Sequence, residues 1–380
     1  MSNQELYPNA PKWFYNNIEY PYKNKYVTVE NCKIHYLLFQ EQNNEEKNLN
    51  KPGLILVHGN GAHAHWYTFI APFFVQDYNV VALSNSGNGL SGWREMYPFT
   101  TWGEEVYGVA KDAGMFNNYP NQKPIVAAHS MGTVVAMALG KMKDKIKYFS
   151  GFLLLDELPR PPGYFDDFQF FAPTTSSTSS TTTRPPPPPR PPRKGHKVRD
   201  KSISVRTKFY LQPPQKVMHP FIKDYIADHS ITFNEDKTTW TWSFDPKKNF
   251  KQPKHDAFPL NLMDYLSVEN VQKLPIRVAF IVGERSAICN PAIVDFNRSV
   301  LGNDIPINIL HDSAHHVMLD QPLALTASMK GILNEWKRSK ISVPAGSNTY
   351  NDPPISNRIH IEGEYYNRTE PITWKNSSKL

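Results

Sequence analysis

The sequence predicts an α/β fold: a mostly parallel central sheet with helices on both faces and a cap inserted in its second half. Three observations predict it. Short, continuously apolar runs recur along the chain; several end in glycine or a polar turn; and stretches with helical spacing of apolar residues separate them. A strand buried on both faces reads as an unbroken apolar run, because neither face meets water.

The elements follow in order. Residues 26–40, YVTVENCKIHYLLFQ, predict two strands around a turn at Glu30-Asn31. GLILVHG (53–59), NVVALSNSGNG (79–89), PIVAAHS (124–130), FLLLDE (152–157), IRVAFIVGE (276–284) and INILHDSAHH (307–316) predict the buried strands and the turns that leave them. Helices are expected at about 102–114, 131–143, 291–300 and 319–338. In such a sheet, ligands bind beyond the carboxyl ends of the strands, so chemistry is sought there.

One gap breaks the alternation. From residue 157 to 273 the texture changes, with a Ser/Thr tract running into PPPPPRPP. That piece cannot bury a core, and a loop without fixed structure is expected at about 173–203. Helical spacing in PFIKDYIADHSITF and the aromatic TTWTWSFDP predict structure after it. The division is therefore 1–156 and 274–340 as the core, 157–273 as a cap, and 341–380 as a polar tail. The proline tract fits the ligands of SH3-type domains, although a low-complexity expansion is the preferred reading.

The formal charge is +7. Arg184, Arg190, Arg193, Lys194, Lys197, Arg199 and Lys201 oppose only Asp200, so this one segment holds all but one unit of that excess. Basicity confined to a loop gives no argument for nucleic-acid binding. Two cysteines, Cys32 and Cys289, cannot staple a chain of 380 residues and predict a reducing setting. No secretory signal and no transmembrane segment are legible. The final Ser378-Lys379-Leu380 reads as a peroxisomal address, with the import receptor as partner and the peroxisomal matrix as location. Asn297, Asn367 and Asn376 then carry glycosylation sequons by chance.

The chemistry gathers at two turns. In Ala128-His129-Ser130-Met131-Gly132 a serine joins an apolar strand to an apolar helix, with small residues two positions to either side. A tight turn of this kind lifts the hydroxyl above the sheet, needs small neighbours and aims the helix amides at the reaction centre. Ser130 is the candidate nucleophile; an ordinary N-cap serine is the plainer alternative. His58-Gly59-Asn60-Gly61 follows an earlier strand, and its glycines let a backbone amide face the same site. The amides of Asn60 and Met131 are the candidate oxyanion donors. Metal-site and phosphate-loop motifs are not seen, and His58, His63 and His65 lack an acidic or cysteine partner.

Taken in order, the strand with HGNG, the SNSGNGLSGW turn, the AHSMG elbow and the H-x6-P ending resemble the α/β-hydrolase fold superfamily over about residues 25–340. With the C-terminal tripeptide, the chain resembles the peroxisomal lipase and esterase members of that family. The resemblance implies that His315, seven residues before Pro322, is the base, with His316 as runner-up. It implies an acid too, but Ser286 stands where aspartate is common. Asp156, at the end of the strand after the nucleophile, is the first choice, then Glu157 and Glu284. Ala128 replaces the usual first glycine of the elbow, Ala314 the glycine before the histidine, and Ser84 and Asn88 the aspartate and histidine of the earlier turn.

The expected activity is that of a serine hydrolase needing no cofactor. A small-molecule carboxylic ester, of an acyl lipid, is the first substrate expectation; acyl-CoA thioester and C–C bond hydrolysis follow. Phe165, Phe168, Phe170, Phe171, Trp240 and Trp242 suit an apolar acyl group, or simply form the cap's core. An inactive fold that binds partners through its Pro/Arg loop is the competing class, motivated by Ser286.

Overall fold

The structure, a computed structural model, describes residues 2–164, 196–197, 201–211, 213, 215–233, 239–248 and 262–339. Each apolar run is a strand in it. Strand β1 (Lys23–Val29) pairs antiparallel with β2 (Cys32–Phe39), and Glu30 and Asn31 make the tight turn with φ of 45° and 60°. There follow β3 (Gly53–Val57), β4 (Asn79–Ser84), β5 (Ile125–His129) and β6 (Gly151–Leu155). A small separate sheet holds β7 (His196–Lys197), β8 (Ile231–Phe233) and β9 (Thr239–Trp242) in the order β7-β9-β8. Last come β10 (Arg277–Gly283) and β11 (Ile307–Leu310).

The main sheet runs β1-β2-β4-β3-β5-β6-β10-β11, antiparallel through β2 and β4 and parallel from β4 onward. Alternation explains why its strands are apolar throughout. Ile55, Val57, Val126 and Ala128 face one apolar layer, while Leu54, Leu56, Ile125 and Ala127 face the other. Burying a Leu, Ile or Val side chain is worth about 1.5–3 kcal/mol, so both faces hold their helices firmly. The direction of strand succession reverses at β3 and β5, the place where open sheets of this kind bind ligands beyond the carboxyl ends.

Helices Phe99–Asp112, Met131–Gly140 and Pro291–Leu301 lie close to their expected places. The helix expected over 319–338 is two: Val317–Asp320, then Pro322–Arg338. Pro322 has no amide hydrogen and forces Gln321 out of helical geometry, to φ −132° and ψ 58°. The strand expected to reach Glu157 stops at Leu155, because Asp156 takes a φ of 52°.

Between β6 and β10, the described residues form helices Lys201–Lys208 and Pro220–His229 beside the small sheet. Trp240 is fully buried with Val205 and Ala227, and Trp242 meets it edge-on, so this pair is core. Thr68 donates to the Tyr225 hydroxyl at 2.8 Å, His63 Nε2 to Ser230 Oγ at 2.8 Å, and the Asp245 amide to the Gly87 carbonyl at 2.9 Å. Those bonds tie the segment to the turns after β3 and β4. Most of the loop expected at 173–203, the four phenylalanines 165–171 and the tail from 340 lie outside the described residues. No described helix is long and apolar enough to cross a membrane.

Candidate active site

Ser130 sits at the tip of the turn between β5 and helix Met131–Gly140, with φ 52° and ψ −124°. Few side chains tolerate that backbone, and its strain costs of the order of 1–3 kcal/mol. It survives because both sides are pinned: the Ser130 amide donates to Leu155 O at 2.9 Å and the Thr133 amide to Ser130 O at 2.8 Å. The spacing of small residues has a steric cause. A Cβ on Gly132 would lie 2.7 Å from His58 O, so only glycine lets the helix start against the turn after β3.

His315 follows β11 and bridges two other chain segments. Its Nε2 is 2.9 Å from Ser130 Oγ, and its Nδ1 is 2.7 Å from Asp156 Oδ2. The carboxylate fixes the tautomer: Nδ1–H donates to Asp156, and Nε2 accepts from the serine hydroxyl. Asp156 is fully buried, and its positive φ turns it toward this histidine. It also accepts from the Gly283 amide at 2.7 Å and from Ser286 Oγ at 2.6 Å. Burial pushes Asp156 up to about 7, opposed by those two donors, and pushes His315 down to about 4. The imidazole is therefore neutral at pH 7 and able to take a proton.

The turn after β3 lies against this group. A Cβ on Gly59 would fall 3.1 Å from Ser130 Cβ and 3.0 Å from His129 Nδ1. Neither the Asn60 nor the Met131 amide donates to a backbone carbonyl among the described residues. The first amides of a helix have no partner within it, so Met131 N–H is available to a ligand.

The alternatives are occupied elsewhere. Glu157 is paired with Arg160, and Glu284 with His311 and the Asp312 amide. His316 packs on Trp66 and His129. His58 donates through Nδ1 to Gly59 O and accepts the Asn85 amide at Nε2, joining the β3 and β4 turns. Ser84 accepts the Ala64 amide, and Asn88 accepts from Lys248. Two contributors escaped sequence reasoning. Ser286, noted only as a missing acid, donates to Asp156, the candidate acid. His129 donates from Nε2 to the His315 carbonyl at 2.9 Å, and burial lowers it to about 3, keeping it neutral. The elbow's variable position gave no signal of this.

Comparison with curated protein sequences finds no match. Solved structures match over most of the chain. A thioesterase domain from the curacin biosynthetic pathway is 17% identical, covers 82% of this chain and 99% of its own, with a TM-score of 0.55. An esterase from Mycobacterium tuberculosis is 17% identical, with 87% and 95% covered and a TM-score of 0.54. A carboxylesterase from Bacillus subtilis is 13% identical, with 87% and 94% covered and a TM-score of 0.52. At these identities the likeness is one of fold. The family profile described as "Alpha/beta hydrolase family" matches residues 54–328, from β3 past the His315 loop. With more than half of its length matched, the chain belongs to the α/β-hydrolase family.

Proposed function

We propose that the protein is a serine hydrolase cleaving a carboxylic ester, of an acyl lipid, through an acyl-enzyme. The observation that carries this reading is the single imidazole spanning Ser130 Oγ at 2.9 Å and Asp156 at 2.7 Å. Ser130 Oγ attacks the carbonyl carbon while His315 Nε2 takes its proton, and Asp156 holds the imidazolium. The Asn60 and Met131 amides receive the oxyanion. The imidazolium then protonates the departing alkoxide. Water, deprotonated in turn by His315, releases the acid and restores Ser130.

The esterases among the similar solved structures support an ester substrate. The thioesterase domain among them keeps the thioester as second reading. The inactive-scaffold reading rested on Ser286; the Asp156 carboxylate 2.7 Å from His315 Nδ1 favours the active reading over it. In the same proposal residues 157–273 form a cap over the core segments 1–156 and 274–340. Import through Ser378-Lys379-Leu380 completes it, supported by that tripeptide alone; adding a residue after Leu380 should then leave the protein outside peroxisomes.

The decisive assay is turnover of ester and thioester panels of graded chain length, beside covalent labelling by a fluorophosphonate. Labelling of native protein and none of Ser130→Ala is expected, with esters preferred. Equal turnover by both proteins removes the proposal, and preference for thioesters promotes the second reading.

A further inference from the structure

The backbone that carries His315 is held by side chains at three successive residues. Asp320 Oδ2 accepts the Ala314 amide at 2.8 Å. Gln215 Oε1 accepts the His316 amide at 2.9 Å. His129 Nε2–H donates to the His315 carbonyl. Gln215 also donates from Nε2 to Asp320 Oδ2 at 2.9 Å, so the two acceptors brace each other. Asp320 and His129 belong to the sheet-and-helix framework, beside Pro322 and within β5. Gln215 alone comes from the segment between β6 and β10, 101 residues earlier than the amide it holds. A cavity of about 200 Å³ lies on this side of the loop, so an unbraced loop has space to move into.

We propose that Gln215 is a positioning residue: it holds the His315 loop at the height where Nε2 meets Ser130, and so makes the base depend on the docking of the inserted segment. The inference rests on the reading of His315 as general base. Gln215 touches neither the nucleophile nor the acid; it acts on the loop through its two hydrogen bonds. A base displaced by a fraction of an ångström loses rate before it loses substrate affinity.

Two variants test this through the rate of fluorophosphonate labelling, which reads Ser130 and His315 directly. Gln215→Met keeps the side chain's length and removes both bonds. Labelling about tenfold slower is expected, with kcat on an ester lowered alike and KM within twofold. Gln215→Glu sets a second carboxyl against Asp320, so the brace fails at pH 8, where both are ionised, and reforms when they share one proton. Its rate relative to the native protein should climb as the pH falls to 5, where His315 is still mainly neutral. Lys216, Arg285 and Asp312 line the same cavity, and His219 and Arg285 act on Asp320; the ratio to native protein removes their shared contribution.

Native labelling of Gln215→Met, or a Gln215→Glu ratio that does not change with pH, overturns the role of Gln215 and leaves Ser130 untouched. Should Gln215→Met fail to fold, the pH response of Gln215→Glu decides. An unlabelled native protein overturns the nucleophile reading and this inference with it.

Discussion

Two turns leave the same edge of the sheet, after β4 and after β5, and they use buried polar residues to opposite ends. After β4, Ser84, Asn85, Ser86 and Asn88 are fully buried. Ser86 N and Asn85 Nδ2 donate to Glu105, Arg94 Nε donates to the same carboxylate at 3.0 Å, and Ser91 Oγ donates to Ser84 O. After β5, the Ser130 hydroxyl is half-buried and has one partner in the described hydrogen bonds, the His315 imidazole. Polar groups that satisfy one another make structure. A polar group given only a base is left able to react. The β4 turn can therefore be damaged through stability, and the β5 turn through rate.

The largest expected effect lies at the β5 turn. Ser130→Ala should lower ester turnover by about 10⁴-fold or more, and Asp156→Asn by about 10³–10⁴-fold through loss of the correct tautomer. Ser130→Ala should keep the native unfolding free energy in urea within about 1 kcal/mol. Protonation of the imidazole should not lower native kcat/KM until well below 6.5, because burial holds His315 down to about 4; a loss nearer 7 would report Asp156, which burial raises to about 7. An acid limb near 6.5 that persists in Asp156→Asn would show an imidazole less enclosed than the geometry indicates.

At the β4 turn the order reverses. Glu105→Ala leaves the Arg94 guanidinium and the Ser86 amide without their buried acceptor, and should cost about 3–5 kcal/mol in urea unfolding. Whatever fraction remains folded should still be labelled by a fluorophosphonate. If turnover falls while stability does not, the division between the two turns is wrong.

How far the sequence disclosed these turns follows from the physics of each. Ser130 and the glycines were legible because steric limits act between neighbours in the chain. His315 was singled out by the family resemblance, which implies a histidine seven residues before a proline such as Pro322. The acid was open among Asp156, Glu157 and Glu284, because a single positive φ decides which carboxylate turns inward, and no local pattern announces it. The break at Gln321 was written in Pro322 but hidden by continuous helical spacing. Gln215, Ser286 and the stacked rings of His65 and His229 depend on contacts between distant segments, about which periodicity is silent.

A smaller effect sharpens the comparison through pH. Lys248 is buried beside the β4 turn, where it donates to Asn88, and burial lowers it from 10.5 to about 7, partly offset by Asp245. Between about pH 7 and 10.5 the unfolded lysine holds more protons than the folded one, so stability from this group rises with pH. The slope is at most about 1.4 kcal/mol per pH unit. Urea midpoints of native protein and Lys248→Met at pH 7 and 9 should differ in this slope, the variant being flatter. Parallel slopes would mean that Lys248 stays charged in the fold.

The smallest effect tests whether the β5 turn stores strain that the β4 turn does not. At φ 52° and ψ −124°, Ser130 adopts a backbone that glycine enters freely and alanine does not. Ser130→Gly and Ser130→Ala both lose the proposed nucleophile, so they should differ in stability without differing in function. Glycine elsewhere is the less stable choice, since it gives up more freedom on folding. Here Ser130→Gly should be the more stable by about 1 kcal/mol, a difference of a few degrees in thermal midpoint. Were alanine the more stable, the turn would be relaxed, and the raised hydroxyl would owe nothing to a backbone held under tension.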